Sequence, residues 1–71
     1  MTVNAVAPSA ISSPAVDAAP SEKIAAVVAA IPAGRLGQPD EVSSAILYLA
    51  SQGSGYITGA TLDINGGRLM R

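Results

Sequence analysis

At 71 residues and a formal net charge of -1, with four Lys and Arg against five Asp and Glu, the chain is one small domain at most and lacks the cationic footprint of a nucleic-acid binder. It has no cysteine and no histidine, which excludes a disulfide framework, a zinc site and any Ser-His or Cys-His catalytic pair. The apolar 49% is rich in alanine and contains no Phe or Trp, so the core on offer is thin, and its runs are too short and too broken by Pro and Gly to span a membrane.

Residues 1–20 lack the positive start and continuous apolar stretch of a signal peptide, so a cytoplasmic location is expected. Within them, residues 2–7 form a short, mostly apolar run ended by Pro8, which predicts a strand buried on both faces of a parallel sheet. Asn4 is expected to satisfy backbone groups beside it. The loop over 8–14, Pro-Ser-Ala-Ile-Ser-Ser-Pro, leaves the C-terminal end of that strand, where ligands bind in open parallel α/β sheets, and is the best candidate site. An ordinary Ser/Pro turn is the other reading of the same residues. Residues 15–20 are small and bounded by Pro, as in a mobile connector. Ile24, Val27, Val28 and Ile31 then fall at i, i+3, i+4 and i+7, predicting a helix over 21–31 that Pro32 ends. That stripe reads first as a packing face and second as the underside of a lid over substrate.

Ala33-Gly34-Arg35-Leu36-Gly37 reads as a tight loop from which Arg35 ties the backbone to carbonyls or to an acidic side chain, in preference to a phosphate or carboxylate ligand. Val42, Ala45, Ile46, Leu49 and Ala50 share one stripe, opposite Glu41, Ser44 and Tyr48, and predict a helix over 39–51. Pro39 suits its first position, and Asp40 and Glu41 meet the positive end of its dipole. Gly53, Ser54 and Gly55 stop it, and residues 61–65 form the last strand before Gly66-Gly67. The Gly-x-Gly-x-x-x-Gly of residues 53–59 is a turn and not a phosphate loop. A phosphate loop follows a strand and opens a helix, whereas this one follows a helix and opens a strand.

The string Gly34-Arg35-Leu36-Gly37-Gln38-Pro39-Asp40-Glu41-Val42, then Leu49-Ala50-Ser51, Tyr56-Ile57-Thr58-Gly59 and Ile64-Asn65-Gly66-Gly67, resembles the C-terminal part of a short-chain dehydrogenase/reductase, of the 3-oxoacyl-acyl-carrier-protein reductase type. Val3, Asn4, Val6 and Pro8 match the family's Val-Asn-x-Val-x-Pro-Gly, with Ser9 for the Gly, and Asn65 stands for Asp in its Asp-Gly-Gly ending. The resemblance implies the C-terminal β-α-α-β part of a Rossmann-type, doubly wound parallel sheet, with the N-terminal cofactor-binding half absent. It also implies NAD or NADP as cofactor and a small carbonyl or alcohol substrate. Pro8, Ser9, Ile11 and Ser13 would lie at the nicotinamide end, the Ile11 backbone bonding the carboxamide and the Ser13 hydroxyl serving as the family's Thr. Ser9 adds a Cβ where backbone comes close to that ligand. The helix over 21–31 would close over an acyl group, and helix 39–51 with strand 61–65 would form a subunit interface of a homo-oligomer.

The family's catalytic Tyr-x-x-x-Lys has no counterpart: Tyr48 is followed four places on by Gln52 and Tyr56 by Ala60, and Lys23 follows no Tyr. The Gly-rich cofactor loop is missing as well. The chain is therefore expected to be the last part of an oxidoreductase, cut at an internal Met or left as a gene remnant, with no catalytic residue of its own. A non-catalytic interaction module, docking through helix 39–51 and the last strand, is the second expectation. No nucleic acid or membrane partner is expected.

Overall fold

A computed structural model of the chain describes residues 1–68. Its elements run β1 (Ala5–Pro8), α1 (Pro14–Asp17), α2 (Ser21–Ala29), α3 (Pro39–Leu49), a 3-10 turn (Gln52–Ser54) and β2 (Thr61–Ile64). β1 and β2 pair in parallel, Ala5 opposite Thr61 and Pro8 opposite Ile64, as expected for strands joined through helices.

The first strand begins at Ala5 and not at residue 2, because the residues before it are committed to the turn ahead of β2. The Gly59 N–H donates to the Val3 carbonyl at 2.7 Å, and the Val3 N–H donates to Thr58 Oγ1 at 3.2 Å. Asn4 donates from Nδ2 to the Ile57 carbonyl at 3.1 Å and accepts the Ala60 N–H on Oδ1 at 3.0 Å, the backbone-satisfying role expected of it. The strand runs on through Pro8 at no loss to the ladder. Ala5 and Ser9 donate their N–H groups to Ala60 and Ile64, so position 8, out of phase with both, turns its proton-free nitrogen to the open edge.

Three α-helices lie between the strands where two were expected. Residues 15–20 hold no simple connector, since Ser13, extended at φ -156°, caps α1 by accepting the Val16 N–H on Oγ at 3.2 Å, with Pro14 next to it in the first turn. Ser12 Oγ adds a bond to Asp17 Oδ1 at 2.8 Å. α2 ends at Ala29, two residues short of the expected end, with Ala30 as its C-cap. Its stripe persists past that end: Ile24, Val27 and Val28 are half-buried and Ile31 is 4% exposed. α3 starts at Pro39 as its sequence signals and ends at Leu49. Ser54, 1% exposed, then folds its hydroxyl back to within 2.9 Å of the Leu49 carbonyl and 3.0 Å of the Ser51 carbonyl, covering acceptors the helix end leaves open.

Ile31 is the one buried apolar residue among those described. The chain is a slab of 44 × 25 × 14 Å with a radius of gyration of 14.1 Å, against about 11 Å for a globule of this length. It exposes 5022 Å², roughly 1000 Å² more than a compact protein of this mass. The excess is partly apolar: Val3, Leu47 and Tyr56 are 68%, 70% and 103% exposed, and Ile46 and Tyr48 are each 50% exposed. No helix among the described residues is long and apolar enough to cross a membrane.

Candidate functional site

The loop after β1 leaves the C-terminal end of the parallel pair, and its shape is set by a second, smaller pairing. Ile11 forms an isolated parallel bridge with Gly37: the Gly37 N–H donates to the Ala10 carbonyl at 3.0 Å and the Ser12 N–H donates to the Gly37 carbonyl at 2.8 Å. In that pattern the bonds to Gly37 come from the residues flanking Ile11, so the N–H and C=O of Ile11 itself face the opposite side. A donor and an acceptor are thereby presented together at the end of the sheet.

Holding the loop in this path puts Ala10 at φ 60°, a left-handed conformation that costs a non-glycine residue about 1–2 kcal/mol. The conformational demand of the loop falls on Ala10 and not on Ser9, which is exposed and donates its N–H to the Ile64 carbonyl at 3.0 Å. Gly37 leaves room for the end of the Ile11 side chain. A Cβ there would lie 2.7 Å from Ile11 Cδ1, so the bare glycine is what lets the Ile11 side chain cross it.

Of the residues singled out in the sequence, Pro8 and Ser9 lead out of β1, Ile11 is half-buried at the bridge, and Ser13 caps α1. The Ser13 oxygen accepts from Val16, which leaves its hydroxyl proton to donate elsewhere. Ala10 and Gly37 were not singled out. Nothing in an alanine marks a positive φ, whereas the glycine two places before Pro39 was a signal available in the sequence.

Gly37 is itself held by α3. Arg35 sets its fork on Glu41, Nη1 to Oε1 at 2.7 Å and Nη2 to Oε2 at 3.0 Å, and also donates to the Leu36 carbonyl at 3.0 Å. Glu41 Oε1 accepts the Gln38 N–H at 2.9 Å as well. The structural role expected of Arg35 is what is found. The bond from Arg35, helped by the Gln38 N–H, draws the Glu41 carboxyl down to about 2, and the Arg35 guanidinium is raised in turn. A cavity of about 60 Å³ lies between this pair and the loop, bordered by Ser9, Ile11, Gly37 and Asn65. On the other side of the loop α1 and α2 enclose an apolar groove of about 440 Å³, lined by Val16, Ile24, Val27 and Leu36 with Lys23 at its border.

A parallel pair joined through helices, with a shaped loop at its C-terminal end, is what one end of a doubly wound α/β oxidoreductase presents. The profile of the family described as enoyl-(acyl carrier protein) reductase matches residues 1–68. The chain belongs to the short-chain dehydrogenase/reductase family. Among its relatives it is similar to the 3-oxoacyl-[acyl-carrier-protein] reductase FabG of Vibrio cholerae, 49% identical over 70 residues, covering 99% of this chain and 29% of that protein. Nodulation protein G of Azospirillum brasilense is 48% identical over 67 residues, 94% of this chain and 27% of that one. A crystal structure from Brucella melitensis, described as a short-chain dehydrogenase/reductase of the glucose/ribitol dehydrogenase type, superposes with a TM-score of 0.88 at 33% identity, over 99% of this chain and 29% of that one. The chain thus spans less than a third of the length of the relatives it matches.

Proposed function

We propose that the chain supplies the nicotinamide-side loop and the C-terminal edge of an NAD(P)-dependent short-chain oxidoreductase acting on a carbonyl or alcohol substrate, in the cytoplasm, and does not transfer hydride by itself. The observation that carries this reading is the outward-facing N–H and C=O of Ile11 at the C-terminal end of the strand pair. A carboxamide offers one acceptor and two donors in a plane, and such a backbone pair complements it. The Ser13 hydroxyl proton is a further donor for the same end, and Pro8 and Ser9 border it. When bound, the nicotinamide carries the hydride chemistry.

The fit covers that end alone. Among the described residues no glycine-rich turn leads from a strand into a helix, so the pyrophosphate has no cradle here. Neither Tyr48 nor Tyr56 has a Lys four residues on, and no His or Cys is present to hold or move a proton at the substrate oxygen. A second reading, a module that docks on other copies or on the rest of an enzyme through α3 and β2, is favoured by the exposure of Leu47, Tyr48 and Leu62. It is compatible with the first, since a homo-oligomer interface on that face serves both.

The test is to add NADPH or NADH with an acetoacetyl thioester to residues 1–71 and follow the absorbance of the reduced nicotinamide. Only background oxidation is expected. Turnover that is lost on Tyr48→Phe or Tyr56→Phe would overturn the reading, because it would require an acid–base group that the proposal denies. A nicotinamide mononucleotide titration that shifts the Ile11 amide resonance supports it.

A further inference from the structure

We infer that Arg35 and Glu41 are positioning residues for the loop after β1: the ion pair at the start of α3 fixes Gly37, and Gly37 fixes the path of residues 10–12. The inference rests on the proposed function for what the loop contacts, but not for the coupling itself.

An exposed ion pair ordinarily contributes little, and this one is 59% and 41% exposed at its two side chains. Its geometry departs from the ordinary case. Nη1 and Nη2 each donate to one carboxylate oxygen, Oε1 accepts the Gln38 N–H besides, and Nη1 also donates to the Leu36 carbonyl. Three bonds therefore join Arg35 and Gln38, on either side of Gly37, to Glu41 in the first turn of α3, and a fourth ties Arg35 to the Leu36 carbonyl. A two-point fork constrains direction as well as distance, so the backbone of Gly37 is held in place without a side chain of its own.

From Gly37 the constraint passes through three further contacts. Its N–H and C=O bond residues 10 and 12, and the Ile11 side chain lies over its Cα, where a Cβ would be 2.7 Å from Ile11 Cδ1. Ala10 sits at φ 60° in the middle of this arrangement. A strained residue persists only where its surroundings over-determine it, and on the far side of the bridge the Arg35–Glu41 fork acts together with the Gln38 cap of α3 to hold Gly37. Releasing the fork lets residues 36–38 relax, weakens both bridge bonds and allows Ala10 to return to negative φ. The outward-facing pair on Ile11 then loses its fixed direction.

The experiment is amide hydrogen exchange on ¹⁵N-labelled residues 1–71, comparing the unaltered chain with Arg35→Met, Glu41→Gln, the double variant and Arg35→Lys. The Gly37 and Ser12 amides report the bridge, and the Ala5 and Ser9 amides, bonded to Ala60 and Ile64, report the strand pair. Each single variant is expected to speed exchange at Gly37 and Ser12 by about twofold to fivefold, the range of an exposed ion pair, and to leave Ala5 and Ser9 unchanged. The double variant should go no further than either single one, and Arg35→Lys, with charge but no fork, should recover part of the protection. Equal acceleration at all four amides would mark a merely structural contribution and overturn the inference. Exchange at unfolded-chain rates for Gly37 and Ser12 in the unaltered chain would overturn it too. The Ile11 shift with nicotinamide mononucleotide is read separately: its absence alongside the exchange pattern above removes the cofactor reading and leaves the coupling.

Discussion

Replacing Gly66 by Ala tests how much of the fold hangs on the packing around buried Ile31. Gly66 adopts φ +63°, and a Cβ there would lie 2.7 Å from Ile31 Cγ2 and 3.2 Å from the Ala33 Cβ. The first distance is closer than real side chains approach, and neither neighbour can retreat freely: Ile31 is the buried residue, and the Ala33 N–H is bonded to the Gly66 carbonyl at 3.0 Å. The backbone conformation alone costs an alanine about 1–2 kcal/mol, and forcing a methyl group into a filled site adds roughly 1–3 kcal/mol. The total, about 2–5 kcal/mol, compares with roughly 4–10 kcal/mol for the whole stability of a domain this size. Gly34 is the control, because it has φ +77° and nothing within 4 Å of its Cβ position. Gly34→Ala should show the conformational part alone. Both variants and the unaltered chain would be unfolded in urea at one fixed concentration, with far-ultraviolet circular dichroism as readout. The midpoint should fall markedly further for Gly66→Ala than for Gly34→Ala. Equal shifts, or a larger shift for Gly34→Ala, would refute the steric reasoning.

Two other outcomes are expected. The exposed apolar residues and the two open strand edges should make the chain associate, so its sedimentation coefficient should rise with concentration; a monomer at all concentrations with a sharp, concentration-independent unfolding transition would contradict this. Glu41 titrates at about 2 in the folded chain, below its ordinary 4.5, so the stability it contributes is fully present above that ordinary value and is lost as pH falls toward about 2. The difference in urea midpoint between the unaltered chain and Glu41→Gln should shrink over that interval; a difference that stays constant down to its lower end would show that the carboxylate is not paired as described.

Local patterns in the sequence located much of this fold. Spacing of Ile24, Val27, Val28 and Ile31 marked the inward face of α2, and Pro39 marked the first residue of α3. α1 escaped that approach because four residues are too few to show a period, although Ser13 before Pro14 is a capping pair that local chemistry recognises. The start of β1 was missed because it depends on the turn over 57–60, far away in sequence, which takes Val3 and Asn4 for itself. In the candidate site the strand end and its serines were legible. The bridge to Gly37 was not, since a pairing between two loops leaves no periodic trace in either.

The pairing of β1 with β2 also sets the order in which this chain can assemble. Asn4 and Ala60 are bonded across 56 positions, and the strands themselves meet over the same interval. Closing a loop of that size costs about 2 kcal/mol more chain entropy than closing a single helical turn. α2 and α3 can therefore flicker into being on their own, while the sheet waits for both of its strands to meet. Such a topology folds slowly for its size, and during that wait the apolar faces of the helices have nothing to cover. The Asn4 side chain, with one bond to each side of the distant turn, spans the same interval and so closes together with the ladder.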